Sequence, residues 1–575
     1  MPNEFFFGTL NTIDKRVAYS RQRQRGVRHD NRLLPQAPRP GDPPTVVVST
    51  ELPHAVERVV CTLQEPQQQT VVLQPAGDDW DLLNWRYFQT WQARLPAYAA
   101  GTTVRYTIAA YPAGGGDPLP ADEGQTFSYT VGQPGPPQWA HEAIIYQIFP
   151  DRFHPGAGHS WREAQSMSDI HGGTLQGIVE NLDYVADLGF NCIWLNPFFP
   201  DETHHGYHAT DYFDVEPRLG DMSVVRRLVE EAHARGIRVL LDFVANHWSS
   251  EHPTFRQARA DRNSDYYHWY RWREWPDDYE TFFGVRELPQ INVDHPAARE
   301  HLLRAADFWL SDVGFDGYRL DYAHGPSHDF WRAFHDTVKS ARPDAWIFGE
   351  VVETPPVQLS YDGRLDGTLD FLLMQALRDT FAFRSNGVAQ FDAFLNAHER
   401  FFPPHFSRPS FLDNHDINRF LWLVGGDRQK LKLAALCQFT LIGPPIVYYG
   451  AEVGVTQERD IVQGERHVLE EARQPMRWGG AQDDVLHLFY HDLIHLRRAH
   501  PALWRGDRRT VYLDDEAGLY AYTRSDEHET VLVALNLGDH PHRFEAAGHS
   551  FDLPPWAGDV QIFAADVRAG ARGRR

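Results

Sequence analysis

The strongest constraint on this chain is a phrase that it repeats. Leu175, Ile178, Leu182, Val185 and Leu188 fall three or four residues apart, the period of one amphipathic helix; Gly189 ends it, and Phe190-Asn191-Cys192-Ile193-Trp194-Leu195 follows as a strand. Val225, Leu228, Val229 and Ala232 lead in the same way through Gly236 to Ile237-Arg238-Val239-Leu240-Leu241-Asp242-Phe243. Leu302, Ala305 and Trp309 lead through Gly314 to a strand that carries Arg319 and Asp321. Helix, glycine, apolar strand and polar tip, repeated, predict a parallel (β/α)8 TIM barrel with its working residues at the strand tips. Pro444-Pro445-Ile446-Val447-Tyr448-Tyr449-Gly450 reads as the last barrel strand, followed by helix to about Arg498.

The flanks follow a different grammar. Thr45–Ser49, Thr70–Leu73, Thr103–Ile108 and Thr126–Thr130 are short β-branched and aromatic runs, a β-sandwich pattern that closes on the linker Gly132-Gln133-Pro134-Gly135-Pro136-Pro137. Alternation returns over 509–563. Between Asn246 and Asp294 the barrel grammar lapses for too long to be an ordinary loop, which predicts an inserted subdomain. The expected division of the α/β chain is therefore a carbohydrate-binding-like β-sandwich over 1–137, a barrel over 138–504 with an insert at about 248–294, and a C-terminal β-sandwich over 505–575. Trp80, Trp85, Tyr87 and Trp91 invite a sugar-binding reading, but the alternation of Tyr87, Gln89 and Trp91 puts at least one ring in the core. Residues 1–40 show no clear periodicity, and the arginine-rich end, 568–575, reads as a frayed tail.

A formal charge of −23 argues against nucleic acid or an anionic membrane as partner. Cys61, Cys192 and Cys437 lie far apart, so buried thiols are expected instead of disulfides. The opening Met1–Phe7 carries no basic segment before an apolar one, and no run of 18 apolar residues occurs, so a soluble, cytoplasmic protein is expected.

The chemistry concentrates at three strand tips. Arg319 and Asp321 stand two apart, on one face of a strand. Trp346-Ile347-Phe348 delivers Gly349-Glu350, and Phe411-Leu412-Asp413-Asn414-His415-Asp416 ends a further run. Strands of a parallel barrel bring these acids to one rim, and paired carboxyls on a rim are equipped to break glycosidic bonds.

Asp242-Phe243-Val244-Ala245-Asn246-His247, Gly317-Tyr318-Arg319-Leu320-Asp321, Phe348-Gly349-Glu350 and Phe411–Asp416 resemble, in order and spacing, the four signature segments of the α-amylase family of glycoside hydrolases. Tyr146–Phe153, His205-Gly206-Tyr207 and Arg473–Trp478 look like further landmarks. The N-terminal sandwich and Leu288-Pro289-Gln290-Ile291-Asn292 point to the neopullulanase, cyclomaltodextrinase and maltogenic amylase branch, although Tyr322-Ala323-His324-Gly325 stands where that branch usually has VANE.

The resemblance implies that Asp321 is a nucleophile, Glu350 the acid/base and Asp416 the third acid, with Asp413 as the competing assignment for the last. Arg319 would hold Asp321 ionised, and neighbouring carboxylates would keep a proton on Glu350. His205, His247 and His415 would donate to sugar hydroxyls, Tyr207 would offer a ring face, and His324 would lie near the acceptor sugar. Asp242 and Asn246 would orient the rim and the insert. Members of the family often bind calcium through an asparagine placed like Asn246; no metal or cofactor is expected here. The implied activity is retaining hydrolysis of α-1,4-linked maltooligosaccharides or cyclodextrins, with glucanotransfer as the alternative and a catalytically dead binding protein as a third reading. A homodimer is implied too, because in that branch the N-terminal domain often caps a partner's cleft.

Overall fold

The computed structural model describes residues 12–51, 55–464 and 466–564; the opening Met1–Phe7 and the tail 568–575 lie outside them. At the centre stand eight parallel strands: β1 (Ile145–Ile148), β2 (Cys192–Leu195), β3 (Arg238–Val244), β4 (Gly317–Asp321), β5 (Trp346–Gly349), β6 (Gly367–Thr368), β7 (Ser410–Phe411) and β8 (Pro445–Tyr448). Their order is β6-β5-β4-β3-β2-β1-β8-β7. The ring closes between its ends where Thr368 N–H donates to Ser407 O at 3.0 Å and Ser407 N–H to Asp366 O at 2.8 Å. That approach needs glycine at 367, since a Cβ there would stand 1.8 Å from Ser407 O.

Period two sorts the strand residues between two cores. Ile145, Cys192, Trp194, Leu240, Trp346, Phe348, Phe411 and Ile446 fill the barrel interior. Their neighbours Ile193, Leu195, Val239, Leu241, Tyr318, Leu320 and Ile347 belong to the larger core, with helix residues such as Leu182, Val185, Leu228 and Leu302. Gln147, Asp242, Arg319 and Asp321 share the interior parity and meet above the apolar layer. At the opposite end Asp316, fully buried, accepts from Val239 N at 2.8 Å, Arg238 Nη1 at 2.8 Å and His233 Nε2 at 2.7 Å, tying β3 to β4.

One helix differs from its expected form. The stretch 175–188 is two helices, Leu175–Glu180 and Leu182–Leu188, broken at Asn181. The Asn181 amide donates to Gly177 O at 2.7 Å, taking an acceptor at the helix end and allowing the chain to turn.

The segment between β3 and the helix Pro296–Phe308 holds the helix Pro253–Ala260 and the antiparallel pair Trp272–Glu274 and Asp278–Tyr279. It packs on Trp248, whose ring stacks on His252 at 4.0 Å, and it returns to the barrel through Ile291 N–H, which donates to Asn246 O at 2.9 Å.

N-terminal to the barrel lies an antiparallel nine-stranded sheet. Its strand Gln69–Asp81 pairs with Val56–Glu65 over its first half and with Arg86–Arg94 over its second, shifting register at Pro75/Gly77, so the sheet folds over on itself. Val46, Val48, Cys61, Leu63, Trp91, Val104 and Tyr106 fill the fold. The aromatic run divides accordingly: Trp91 is core, whereas Trp80, Trp85 and Tyr87 are 39%, 71% and 73% exposed. The C-terminal sheet docks through Arg508, which donates to Glu399 Oε1 at 2.9 Å and Asn396 Oδ1 at 2.6 Å. All three cysteines are free and buried. Among the described residues no helix is long and apolar enough to cross a membrane.

Candidate active site

Asp321 ends β4, Glu350 follows β5 directly, and Asp416 lies five residues beyond the end of β7. All three side chains converge at the carboxyl ends of the strands, largely buried. Arg319, fully buried, joins them: its Nη1 donates to Asp321 Oδ1 at 2.9 Å, and its Nη2 lies 2.9 Å from Glu350 Oε2 as an ion pair. The same Nη1 also meets Asp242, at 2.8 Å to Oδ1 and 3.1 Å to Oδ2, because Asp242 on β3 is the register partner of Arg319. Asp416 has its own cation, Arg473 Nη2, at 3.0 Å, and the Nε of that arginine donates to His415 O at 2.9 Å.

A polar chain underlies the acids. Gln147 Nε2 donates to Asn196 Oδ1 at 3.0 Å and lies 2.8 Å from His415 Nδ1, so that nitrogen is the acceptor and Nε2 carries the imidazole proton. Nε2 faces Tyr207 OH at 2.7 Å and Asp416 Oδ2 at 3.0 Å. Tyr207 OH accepts from Asn196 Nδ2 at 2.8 Å and donates to Asp242 Oδ2 at 2.8 Å. The two rings stack at 5.5 Å and 3°. Asp242 receives a third donor, Trp194 Nε1, at 3.0 Å. It lies beneath the reacting groups, which deepens the expectation that it orients the rim.

Burial pushes the Asp321 carboxyl well above the ordinary range; Arg319 pulls it down, while the charges of Glu350, Asp242 and Asp416 push it up again. Arg319 acts in the expected direction, favouring the ionised form, but it does so against burial. One guanidinium is shared among three carboxyls, and burial outweighs it. Glu350 is raised as well, by burial first and Asp416 next, against Arg319 and the Tyr322 N–H. Asp416 goes the other way: burial raises it, but His415, Arg473 and Arg319 together hold it below the usual range. Protonation is thus favoured on the Asp321–Glu350 pair and ionisation on Asp416. Burial drives His415 down to about 3, so its ring is neutral.

The other expected residues surround this centre. His205 accepts from Tyr207 N–H at 3.1 Å and lies 3.8 Å from Asp201, with 16% of its side chain exposed. His247 is buried, 3.1 Å from Asn246 Nδ2, with its ring on Phe282 at 4.5 Å. His324 Nε2 stands 3.7 Å from Glu353 Oε1. Asp413 accepts from Phe420 N–H at 2.7 Å, at the start of the helix Phe420–Leu423. The Asn246 side-chain oxygen accepts from Gln290 Nε2 at 2.9 Å. Among the described residues no group of three or more His, Cys, Asp or Glu is placed to hold a metal.

The candidate residues from the sequence omitted Gln147, Asn196 and Arg473. Gln147 and Arg473 lay inside recognised landmarks without a role, and Asn196 is the polar tip of β2, where the repeated phrase places working residues.

Paired carboxyls at the strand tips of a (β/α)8 barrel are what a glycoside hydrolase requires. Comparison with known proteins agrees. Residues 147–485 match the alpha-amylase catalytic domain. "Alpha-amylase 2" of Dictyoglomus thermophilum is 40% identical, over 72% of this chain and 73% of its own length. A cyclomaltodextrinase of a Bacillus species is 36% identical over 70% of this chain and 74% of its own. Among solved structures, a cyclomaltodextrinase superposes with a TM-score of 0.68 at 30% identity, covering 90% of this chain and 92% of that one. The chain belongs to the α-amylase family.

Proposed function

We propose that this enzyme hydrolyses α-1,4-glucosidic bonds of maltooligosaccharides, cyclodextrins or related α-glucans by double displacement. The observation that carries the reading is Arg319, which holds Asp321 on one guanidinium nitrogen and Glu350 on the other, at 2.9 Å each. Tethering to one small group keeps the carboxyls close, as a retaining pair at ~5–5.5 Å requires.

In the first step Asp321 attacks the anomeric carbon while Glu350 gives its proton to the leaving oxygen, and a glycosyl-enzyme forms. Glu350, now ionised, takes a proton from water, which attacks the same carbon and releases Asp321. Asp416, kept ionised by Arg473, binds sugar hydroxyls and favours the flattened ring. His205, Tyr207, His247 and His415 line the donor sugar, Arg319 holds the reacting pair, and His324 stands on the acceptor side. The protein acts in the cytoplasm, a reading supported by three unpaired cysteines. It dimerises through its N-terminal sheet, to which the exposed Trp80, Trp85 and Tyr87 lend support; sedimentation of wild type against a variant lacking these rings tests this.

Incubation with maltooligosaccharides, β-cyclodextrin, pullulan and starch, with products resolved by size and anomer, tests the activity. Glucose and maltose as dominant products support hydrolysis. Products longer than the substrate at high concentration would make the protein a glucanotransferase, and no turnover at all would make it a binding protein.

A further inference from the structure

Tyr322 directly follows Asp321, and its backbone lies in the left-handed region at φ 37°. A tyrosine stays there only when its surroundings impose it. The turn has a consequence for Glu350: the Tyr322 N–H is aimed at its carboxyl and donates to Oε2 at 3.1 Å. The Arg319 ion pair falls on the same oxygen. With both anchors on Oε2, Oε1 is the oxygen placed to carry the proton toward substrate.

The supports of that turn come from the insert or from residues tied to it. The Tyr322 ring meets Phe282 edge-on at 5.0 Å and Phe283 at 4.9 Å, and Phe283 is itself left-handed at φ 46°. Gly325 closes the turn from the other side. A Cβ there would stand 1.9 Å from Asn246 Oδ1 and 2.9 Å from Tyr322 Cε1, so only glycine lets Tyr322 and Asn246 pack this closely. Asn246 is held by Gln290 of the insert, and His247 lies against Phe282.

We propose that Tyr322 is a positioning residue for Glu350, and that the insert, through Phe282, Phe283 and Tyr322, sets the direction in which the proton is delivered. The inference rests on Glu350 being the proton donor. Removing the Tyr322 ring lets residue 322 relax to negative φ, its N–H turns away, and Oε2 loses its directed donor. A hydrogen bond to a carboxylate favours the ionised form, so its loss raises the proton affinity of Glu350. The other charged groups facing Glu350 are Arg319 and Asp321 on β4, Asp242 on β3 and Asp416 after β7, and all are unchanged by the substitution.

The test compares a maltooligosaccharide, whose leaving oxygen needs a proton, with α-maltosyl fluoride, whose leaving group needs none. In Tyr322→Ala, kcat/KM on the maltooligosaccharide should fall about 100-fold, within the range for a general acid. The first-turnover burst of fluoride should stay nearly unchanged, and the alkaline limb should move to higher pH. Gly325→Ala, whose Cβ would collide with Asn246 and with the Tyr322 ring but not with Glu350, should do the same. Tyr322→Phe, which keeps the ring, should recover most of the loss. Phe283→Ala should show a smaller version of the split and keeps the test open if the turn variants fold poorly. Equal losses on both substrates, a change confined to KM, or an unmoved alkaline limb would overturn the proposal. Glu350→Gln is the reference: it must lose the maltooligosaccharide and keep the fluoride burst. If it loses both, the role of Glu350 fails; if it behaves as stated and the Tyr322 variants show no split, only the present inference fails.

Discussion

Arg319 Nη1 lies between both oxygens of Asp242, 2.8 and 3.1 Å away, before it reaches Asp321 at 2.9 Å. A fully buried acid thus takes part of the charge that would otherwise favour an ionised Asp321, adding to burial and to the charge of Glu350, which raise Asp321 above the ordinary range although it touches an arginine.

The acidic limb of kcat/KM follows from that arrangement. A raised pKa leaves Asp321 protonated at pH values where an ordinary aspartic acid, near ~3.9, is still ionised, so activity on the acid side fails above that value. Asp242→Asn keeps the shape and removes a negative charge that pushes Asp321 up. Its acidic limb should move to lower pH. A limb that stays or rises in the pH–rate profile would show that Asp242 does not act on the nucleophile.

Asp416 acts on the opposite limb. Its charge raises Glu350, so in Asp416→Asn Glu350, the proposed acid/base, ionises more easily and the alkaline limb of the residual activity should move down. The same profile would contradict the electrostatic picture if that limb rose.

Asp321→Asn and Glu350→Gln each keep volume and remove the proposed nucleophile or the proposed proton donor. Each should cost at least ~10²–10⁴-fold in kcat on maltooligosaccharides with an unchanged melting temperature. Asp413→Asn, bonded to the start of the helix Phe420–Leu423, should cost far less turnover and lower the melting temperature instead. Steady-state kinetics with thermal unfolding separates the two patterns, and a greater kinetic sensitivity at Asp413 would reverse the assignment.

The anomer first released from an α-linked substrate should be α, because two displacements restore configuration. Proton NMR in the first minutes of reaction reads this directly, and an initial β-anomer would require a single displacement by water.

Asp316 provides a stability prediction at the far end of the barrel. Burial raises its carboxyl, but bonds from His233, Arg238 and the Val239 N–H together hold it below the usual range. Its stabilisation is therefore present above the unfolded value, near ~3.9, and is lost as pH falls through the depressed folded value. Asp316→Asn should destabilise by roughly 2–3 kcal/mol at neutral pH, less than the ~3–5 typical of a broken buried pair because its cations, Arg238 and Arg342, the latter with Nη2 3.2 Å from Asp316 Oδ1, both reach solvent. It should also flatten the loss of stability in acid. Urea unfolding at pH 7 and below pH 4 checks both, and an unchanged acid dependence would exclude Asp316 as a source.

Much of the architecture was legible because it is local. Glycines after 3.6-period helices and apolar runs before polar tips lie within a few residues of each other, and they placed the strands carrying Cys192, Asp242 and Arg319 and the strand that Glu350 follows. The break at Asn181 was not legible, since the apolar period runs through it and only the amide's choice of Gly177 O divides the helix. The closure at Gly367 was hidden for a related reason. A two-residue strand has no period, and its partner Ser407 lies forty residues away.

By itself the sequence determined which side chains face the barrel interior and which acids stand at strand tips, because alternation along a strand and the shared direction of parallel strands follow from backbone geometry alone. Only the tertiary structure decided how those acids divide their charges. The register of β3 against β4 sets Asp242 opposite Arg319, the loop before Met476 brings Arg473 to Asp416, and the insert turns the Tyr322 N–H toward Glu350. Proton affinities depend on burial and on the distances between groups from many elements. Those quantities exist only once the whole chain has packed.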